Sequence, residues 1–109
     1  MYRLIGYKIG KNVFIGMKCY LDDLEPRNIT IGDNTLISYG VYFSLHGKNQ
    51  SRSSIDIKKG TYIGMASRII AKNNGLTIGE FAVIGAGILV IKDVNANETH
   101  AGVPAAKIN

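Results

Sequence analysis

Aliphatic residues backed by glycine punctuate this chain: Ile5-Gly6, Ile9-Gly10, Ile15-Gly16, Ile31-Gly32, Ile63-Gly64, Ile78-Gly79 and Ile84-Gly85. Taking the aliphatic residue as position one of a six-residue unit gives a frame of Ile9, Ile15, Leu21; Ile31, Ile37, Phe43; Ile57, Ile63, Ile69; and Ile78, Ile84, Val90. Twelve units fall into four groups of three. Four, eight and three extra residues separate successive groups, always after the third unit. A chain that winds three short strands per coil and lets loops leave at one corner has this spacing.

The fifth position of each unit tests the frame. It holds Val13, Cys19, Thr35, Val41, Thr61, Ser67, Ala82, Ile88 and Val94, all small or β-branched, as an inward position near a corner requires. Glu25, Gly47 and Asn73 depart, and all three lie in third units, where the insertions begin. Amphipathic helix is excluded, because no glycine-free stretch of ten or more residues keeps i, i+3, i+4 apolar spacing. Each unit reads as a short strand plus a corner, and coils stacked in parallel lie about 4.8 Å apart.

A length of 109 residues suits one domain, here taken as 1–109 with a polar, basic loop at 47–54 projecting from it. Thirteen Lys+Arg against eight Asp+Glu give a net charge of +5, but the basic residues are scattered and no nucleic-acid motif is present. A phosphate-bearing ligand needs only a few of them. No apolar run approaches a membrane span, and Met1-Tyr2-Arg3 leads straight into patterned sequence, so neither membrane insertion nor a signal peptide is expected. Cys19 is the lone cysteine, which excludes an internal disulfide and points to a reducing, cytoplasmic setting with the thiol as core filler.

The phased units resemble those of the hexapeptide-repeat acyltransferases, from about Ile5 to Ile108. The resemblance implies an all-β, left-handed parallel β-helix, a triangular prism of about four full coils with one protruding loop. The left hand comes from the resemblance alone, since crossover connections in general are right-handed.

Within that resemblance, Ser44-Leu45-His46-Gly47 matches a Thr/Ser-X-His-Gly-like stretch that supplies the catalytic histidine in sugar and antibiotic acetyltransferases. His46 stands at the insertion corner, and imidazole, with an ordinary pKa near 6.5, suits a general base at neutral pH. One coil below, Asp22 falls in register with Ser44 and Asp23 with Leu45. With Glu25 they form an acidic turn, either simply solvated or placed to bind acceptor hydroxyls or to orient the histidine. Tyr62-Ile63-Gly64-Met65-Ala66 resembles the family's Val-Trp-Ile-Gly stretch, in which the amide just past the glycine faces the thioester. Ile84-Gly85-Ala86-Gly87-Ile88 resembles its Gly-Ala-Gly-Ser-Val segment, where a backbone group at the alanine contacts pantetheine. Met65, Ala66, Gly85 and Ala86 are therefore the expected cofactor contacts. Lys92, in Ile91-Lys92-Asp93-Val94, and Lys107, in the closing Ala101-Gly102-Val103-Pro104-Ala105-Ala106-Lys107-Ile108, are matched to the cofactor's phosphate and adenine end. His100 reads as a surface turn residue.

The implied activity is transfer of an acetyl group from acetyl-coenzyme A to a hydroxyl or amine of a sugar or polysaccharide precursor, by direct attack without an acyl-enzyme. The resemblance implies a homotrimer with sites between subunits. Two histidines, 54 residues apart and in different phases, do not make a three-histidine zinc site, so no metal is expected. Serine as acceptor and a non-catalytic trimeric scaffold are the alternatives.

Overall fold

The computed structural model describes residues 8–21, 29–44, 54–71, 75–102 and 106–108. Its strands line three faces. Face A holds β1 (Lys8–Ile9), β4 (Ile29–Ile31), β7 (Ile55–Ile57) and β10 (Leu76–Ile78). Face B holds β2 (Phe14–Ile15), β5 (Leu36–Ile37), β8 (Tyr62–Ile63), β11 (Val83–Ile84), β13 (Thr99–Ala101) and β14 (Ala106–Lys107). Face C holds β3 (Tyr20–Leu21), β6 (Tyr42–Ser44), β9 (Arg68–Ile70) and β12 (Leu89–Val90). Every pairing is parallel except β13 with β14. The chain is a left-handed parallel β-helix.

The six-residue frame is the register itself. Ile9 pairs with Ile31, Ile31 with Ile57 and Ile57 with Ile78. Ile15, Ile37, Ile63 and Ile84 form the second column. Leu21, Phe43, Ile69 and Val90 form the third. From the second coil onward every position-one residue is buried, and a further inward column of Ile29, Ile55 and Leu76 lies on face A. Fifth positions Thr35, Val41, Thr61, Ser67, Ala82, Ile88 and Val94 are buried as well. Their hydroxyls close the corners from inside: Thr35 Oγ1 donates to the Lys58 carbonyl at 3.3 Å, and Ser67 Oγ donates to the Gly85 carbonyl at 2.8 Å. Cys19 is half-buried, its Sγ 3.0 Å from the Ser38 carbonyl.

Position four makes the corner. Asn12, Lys18, Asn34, Gly40, Gly60, Ala66, Phe81, Gly87 and Asn97 all have φ between 57° and 71°. Glycine and asparagine enter this left-handed region readily. Phe81 does not, and its φ of 58° is the most costly of the set. Its ring lies against the Cα of Gly60, in the space a Cβ would take.

The prism runs past the fourth coil. Val94 bridges to Ile78 and His100 pairs with Ile84, so they occupy position one of a shortened fifth coil. This corrects two expectations. Val94 opens a new turn as well as ending the fourth, and His100 is not a surface turn residue. It is 9% exposed and sits in the inward column above Ile15, Ile37, Ile63 and Ile84. A polar side chain in an aliphatic slot needs a partner, and Glu98 supplies it, its Oε1 3.0 Å from His100 Nε2. At Gly102, φ 95°, the chain reverses, and β14 runs back along β13.

Candidate functional site

The three faces differ outside as clearly as they agree inside. The outward residue of each strand precedes position one. On face A these are Lys8, Thr30, Asp56 and Thr77, with Lys58 Nζ 2.9 Å from Asp56 Oδ2. On face B they are Phe14, Leu36, Tyr62 and Val83, aligned in register and all exposed. On face C the described ones are Tyr42, Arg68 and Leu89.

The corner between faces B and C carries Met17-Lys18, Tyr39-Gly40, Met65-Ala66 and Ala86-Gly87, one pair per coil. A hydrogen-bond ladder climbs it: Gly40 N donates to the Met17 carbonyl at 2.9 Å, Ala66 N to Tyr39 at 2.9 Å and Gly87 N to Met65 at 2.8 Å. Gly64 N and Gly85 N donate to Ile84 at 2.8 Å and to His100 at 3.1 Å. Between them, the amides of Met65 and Ala86 donate no hydrogen bond among the described residues, and both residues are exposed. Met17 and Tyr39, exposed below them, donate none either, so four open N–H donors climb this corner, with Met65 and Ala86 as the upper pair, one coil apart. Such a pair suits a carbonyl oxygen or an oxyanion.

Glycine shapes this corner in two ways. At Gly64 a Cβ would lie 2.7 Å from Ala86 N and 2.7 Å from Gly85 C, so the fourth coil settles directly onto it. At Gly85 a Cβ would meet nothing nearer than 3.6 Å, so coil stacking does not require glycine there. An added methyl would face the His100 carbonyl and the buried Ile88 side chain, each 3.6 Å away. Ser67 fixes the segment from inside, accepting from Ile88 N at 3.2 Å while it holds the Gly85 carbonyl.

The structure thus brings Met65, Ala66, Gly85 and Ala86 together. It does not bring Lys92 to them. Lys92 is exposed at the third corner, after β12, beside Asp93, whose Oδ1 accepts from Thr77 N at 2.8 Å. Lys107 lies on β14, opposite His100, with its Nζ 3.7 Å from Glu98 Oε2. His46, Asp22, Asp23, Glu25 and loop residues 47–53 fall outside the described residues. Ser44, the last described residue before His46, is buried and pairs with Ile70 at the end of face C, next to the corner between faces C and A.

Glu98 was not anticipated. Besides His100 and Lys107, its carboxylate takes Asn95 N at 3.3 Å and lies 3.5 Å from Asn95 Nδ2. The hydrogen bond to His100, then those from Asn95 and the charge of Lys107, hold the Glu98 carboxyl below its ordinary value, against the opposing effect of desolvation. The spacing of six from Val94 to His100 was the available signal.

Among known proteins, the galactoside O-acetyltransferase of Escherichia coli (strain K12) is 36% identical over 114 residues, covering 94% of this chain and 56% of that one. The chain spans about half the length of the curated relatives it matches. No family model matches. A hexapeptide-repeat-containing acetyltransferase of Vibrio cholerae, crystallised with acetyl coenzyme A, superposes with a TM-score of 0.80 at 28% identity, over 95% of this chain and 60% of that one. The serine acetyltransferase of Neisseria gonorrhoeae gives 0.81 at 26% identity, over 95% and 39%. With the hexapeptide register of its coils, the chain is thus similar over nearly its whole length to hexapeptide-repeat acetyltransferases.

Proposed function

We propose that this protein transfers an acetyl group from acetyl-coenzyme A to a hydroxyl or amine of a sugar-type acceptor, with His46 as general base. The observation that carries the proposal is the pair of open amides, Met65 and Ala86, on a corner built from Gly64, Gly85 and Gly87. The galactoside acetyltransferase relative and the Vibrio protein bound to acetyl coenzyme A support the substrate class.

The chemistry follows from these roles. The acceptor oxygen attacks the thioester carbonyl carbon while the His46 imidazole takes its proton. The carbonyl electrons move onto oxygen, where the Met65 N–H is placed to stabilise the charge. Loss of one such donor typically costs about 3 kcal/mol of barrier. The oxyanion then collapses, the C–S bond breaks, and the imidazolium returns the proton to the departing thiolate. The Ala86 amide and the backbone at Gly85 hold the pantetheine arm. Lys92 meets the cofactor's phosphates and Lys107 its phosphorylated adenine end, and Asp22 and Asp23 serve the acceptor.

One subunit cannot assemble this site. Ser44, two residues before His46, ends face C next to the corner with face A, whereas Met65 and Ala86 stand at the corner with face B, so the reacting groups are drawn from two subunits. The exposed column of Phe14, Leu36, Tyr62 and Val83, next to Met17, Tyr39 and Met65, is the surface of association. A cyclic trimer of single-domain prisms gives three equivalent sites. The substrate and the lone thiol suit the cytoplasm. No helix of the described residues is long and apolar enough to cross a membrane.

Serine is the second acceptor class, favoured by the superposition on serine acetyltransferase. The test is acetyl-coenzyme A consumption, read with a thiol reagent over a panel of sugars and amino acids, for wild type and His46→Ala. The proposal predicts acceptor-dependent thiol release that falls about a hundredfold or more in the variant. Equal rates would remove His46 from the mechanism, and no turnover with no coenzyme A binding would leave a scaffold.

A further inference from the structure

We propose that Glu98 is a positioning residue for the cofactor's phosphates, acting through Lys107. It rests on Lys107 meeting those phosphates, as proposed above. The strand that carries Lys107 is a weak element. β14 has two residues, both exposed, and pairs only with β13, through His100↔Lys107 and Ala101↔Ala106. Beyond that pairing, Ile108 N donates to the Thr99 carbonyl at 2.8 Å. So short an antiparallel edge holds poorly by itself.

Glu98 is the latch. Its Oε1 is fixed from the core side by His100 Nε2 at 3.0 Å and by Asn95 N at 3.3 Å. Its Oε2 lies 3.5 Å from Asn95 Nδ2 and 3.7 Å from Lys107 Nζ. One carboxylate thus ties the buried histidine of the fifth coil and the Asn95 turn to the returning strand. Competition for the lysine is the opposing effect. The ammonium has three donors, and one can remain on Glu98 while the others reach a phosphate. His100 also pairs with Ile84, next to Gly85, and its carbonyl accepts from Gly85 N, so the latch and the pantetheine corner share one rigid frame.

A double-mutant cycle tests this, with coenzyme A affinity measured calorimetrically at low and at 0.5 M salt (about 4 Å Debye length). Glu98→Gln and Lys107→Ala should each weaken binding about fivefold at low salt, with the loss shrinking at high salt. The double variant should bind no worse than Lys107→Ala, since Glu98 acts through the lysine. Additive losses, equal losses at both salts, or tighter binding by Glu98→Gln would each overturn the proposal. Unchanged affinity in Lys107→Ala would instead take down the Lys107 assignment itself. Should Glu98→Gln not fold, Glu98→Asp, one methylene too short to bridge His100 and Lys107, completes the same cycle.

Discussion

Replacing Gly64 by alanine should destabilise the prism, whereas the same change at Gly85 should not. At Gly64 the new methyl would lie 2.7 Å from Ala86 N, 2.7 Å from Gly85 C and 2.8 Å from Gly85 O, all backbone. Ordinary contact begins at 3.4 Å, so the fourth coil must lift by roughly 0.7 Å at this corner. Three bonds resist the lift: Gly64 N to Ile84 O, Gly87 N to Met65 O and Ser67 Oγ to Gly85 O, each 2.8 Å. Overpacking of this kind costs about 1–3 kcal/mol. The reduced freedom of the unfolded chain returns about 0.4–1 kcal/mol, and the net loss is about 1–2 kcal/mol. At Gly85 the methyl finds its nearest neighbours, His100 O and Ile88 Cγ1, at 3.6 Å. Only the entropic gain remains, so Gly85→Ala should equal or exceed wild type by up to about 1 kcal/mol. Urea denaturation at one protein concentration, since assembly shifts apparent stability, reads both. A Gly64→Ala protein as stable as wild type, or the reverse order of the two, would refute this packing.

Ser67→Ala removes the acceptor of the buried Ile88 N and the donor to the Gly85 carbonyl. It should cost about 1–3 kcal/mol in the same urea titration. The Glu98 carboxyl is held below its ordinary value, so its contribution is present above the unfolded carboxylate pKa and is lost as pH falls through the lower folded value. A thermal-melting series against pH should show that acid loss in wild type and its absence in Glu98→Gln. Tyr62→Glu combined with Leu36→Asp places two charges on the apolar column of face B and should shift light scattering from trimer to monomer. A trimer that survives would move the interface elsewhere.

Most of the fold was legible because its inward column is almost wholly aliphatic. From Ile9 to Val90 the six-residue frame became the register with no slip, since a shift by one residue would turn every isoleucine outward. The frame stopped short at the fifth coil for two physical reasons. The step from Ile78 to Val94 is shorter than the eighteen-residue coil, and the next inward slot holds His100, whose polarity only its bond to Glu98 reconciles with burial. The left-handed corner residues were legible at Asn12, Asn34 and Gly40, where residue type matches backbone, but not at Phe81, where packing on Gly60 imposes the conformation. The apolar face was hidden because Phe14, Leu36, Tyr62 and Val83 align only after the unequal insertions are removed. Of the site, the placing of Met65 beside Ala86 emerged from the six-residue frame, which pairs Ile63 with Ile84. The separation of Lys92 from that corner did not, because sequence phase does not show which corner faces which subunit.

The central claim is a site shared between subunits, and subunit mixing tests it most directly. His46→Ala removes the base, and Ala86→Trp, at an exposed position, blocks the cofactor corner. Each variant alone should be inactive toward whichever acceptor the thiol-release panel selects. Unfolded, mixed in equal amounts and refolded together, they should recover about a quarter of wild-type activity, because one interface in four then joins an intact His46 to an intact corner. Activity no higher than that of the separate variants would mean that each subunit carries its own complete site, and would contradict the account.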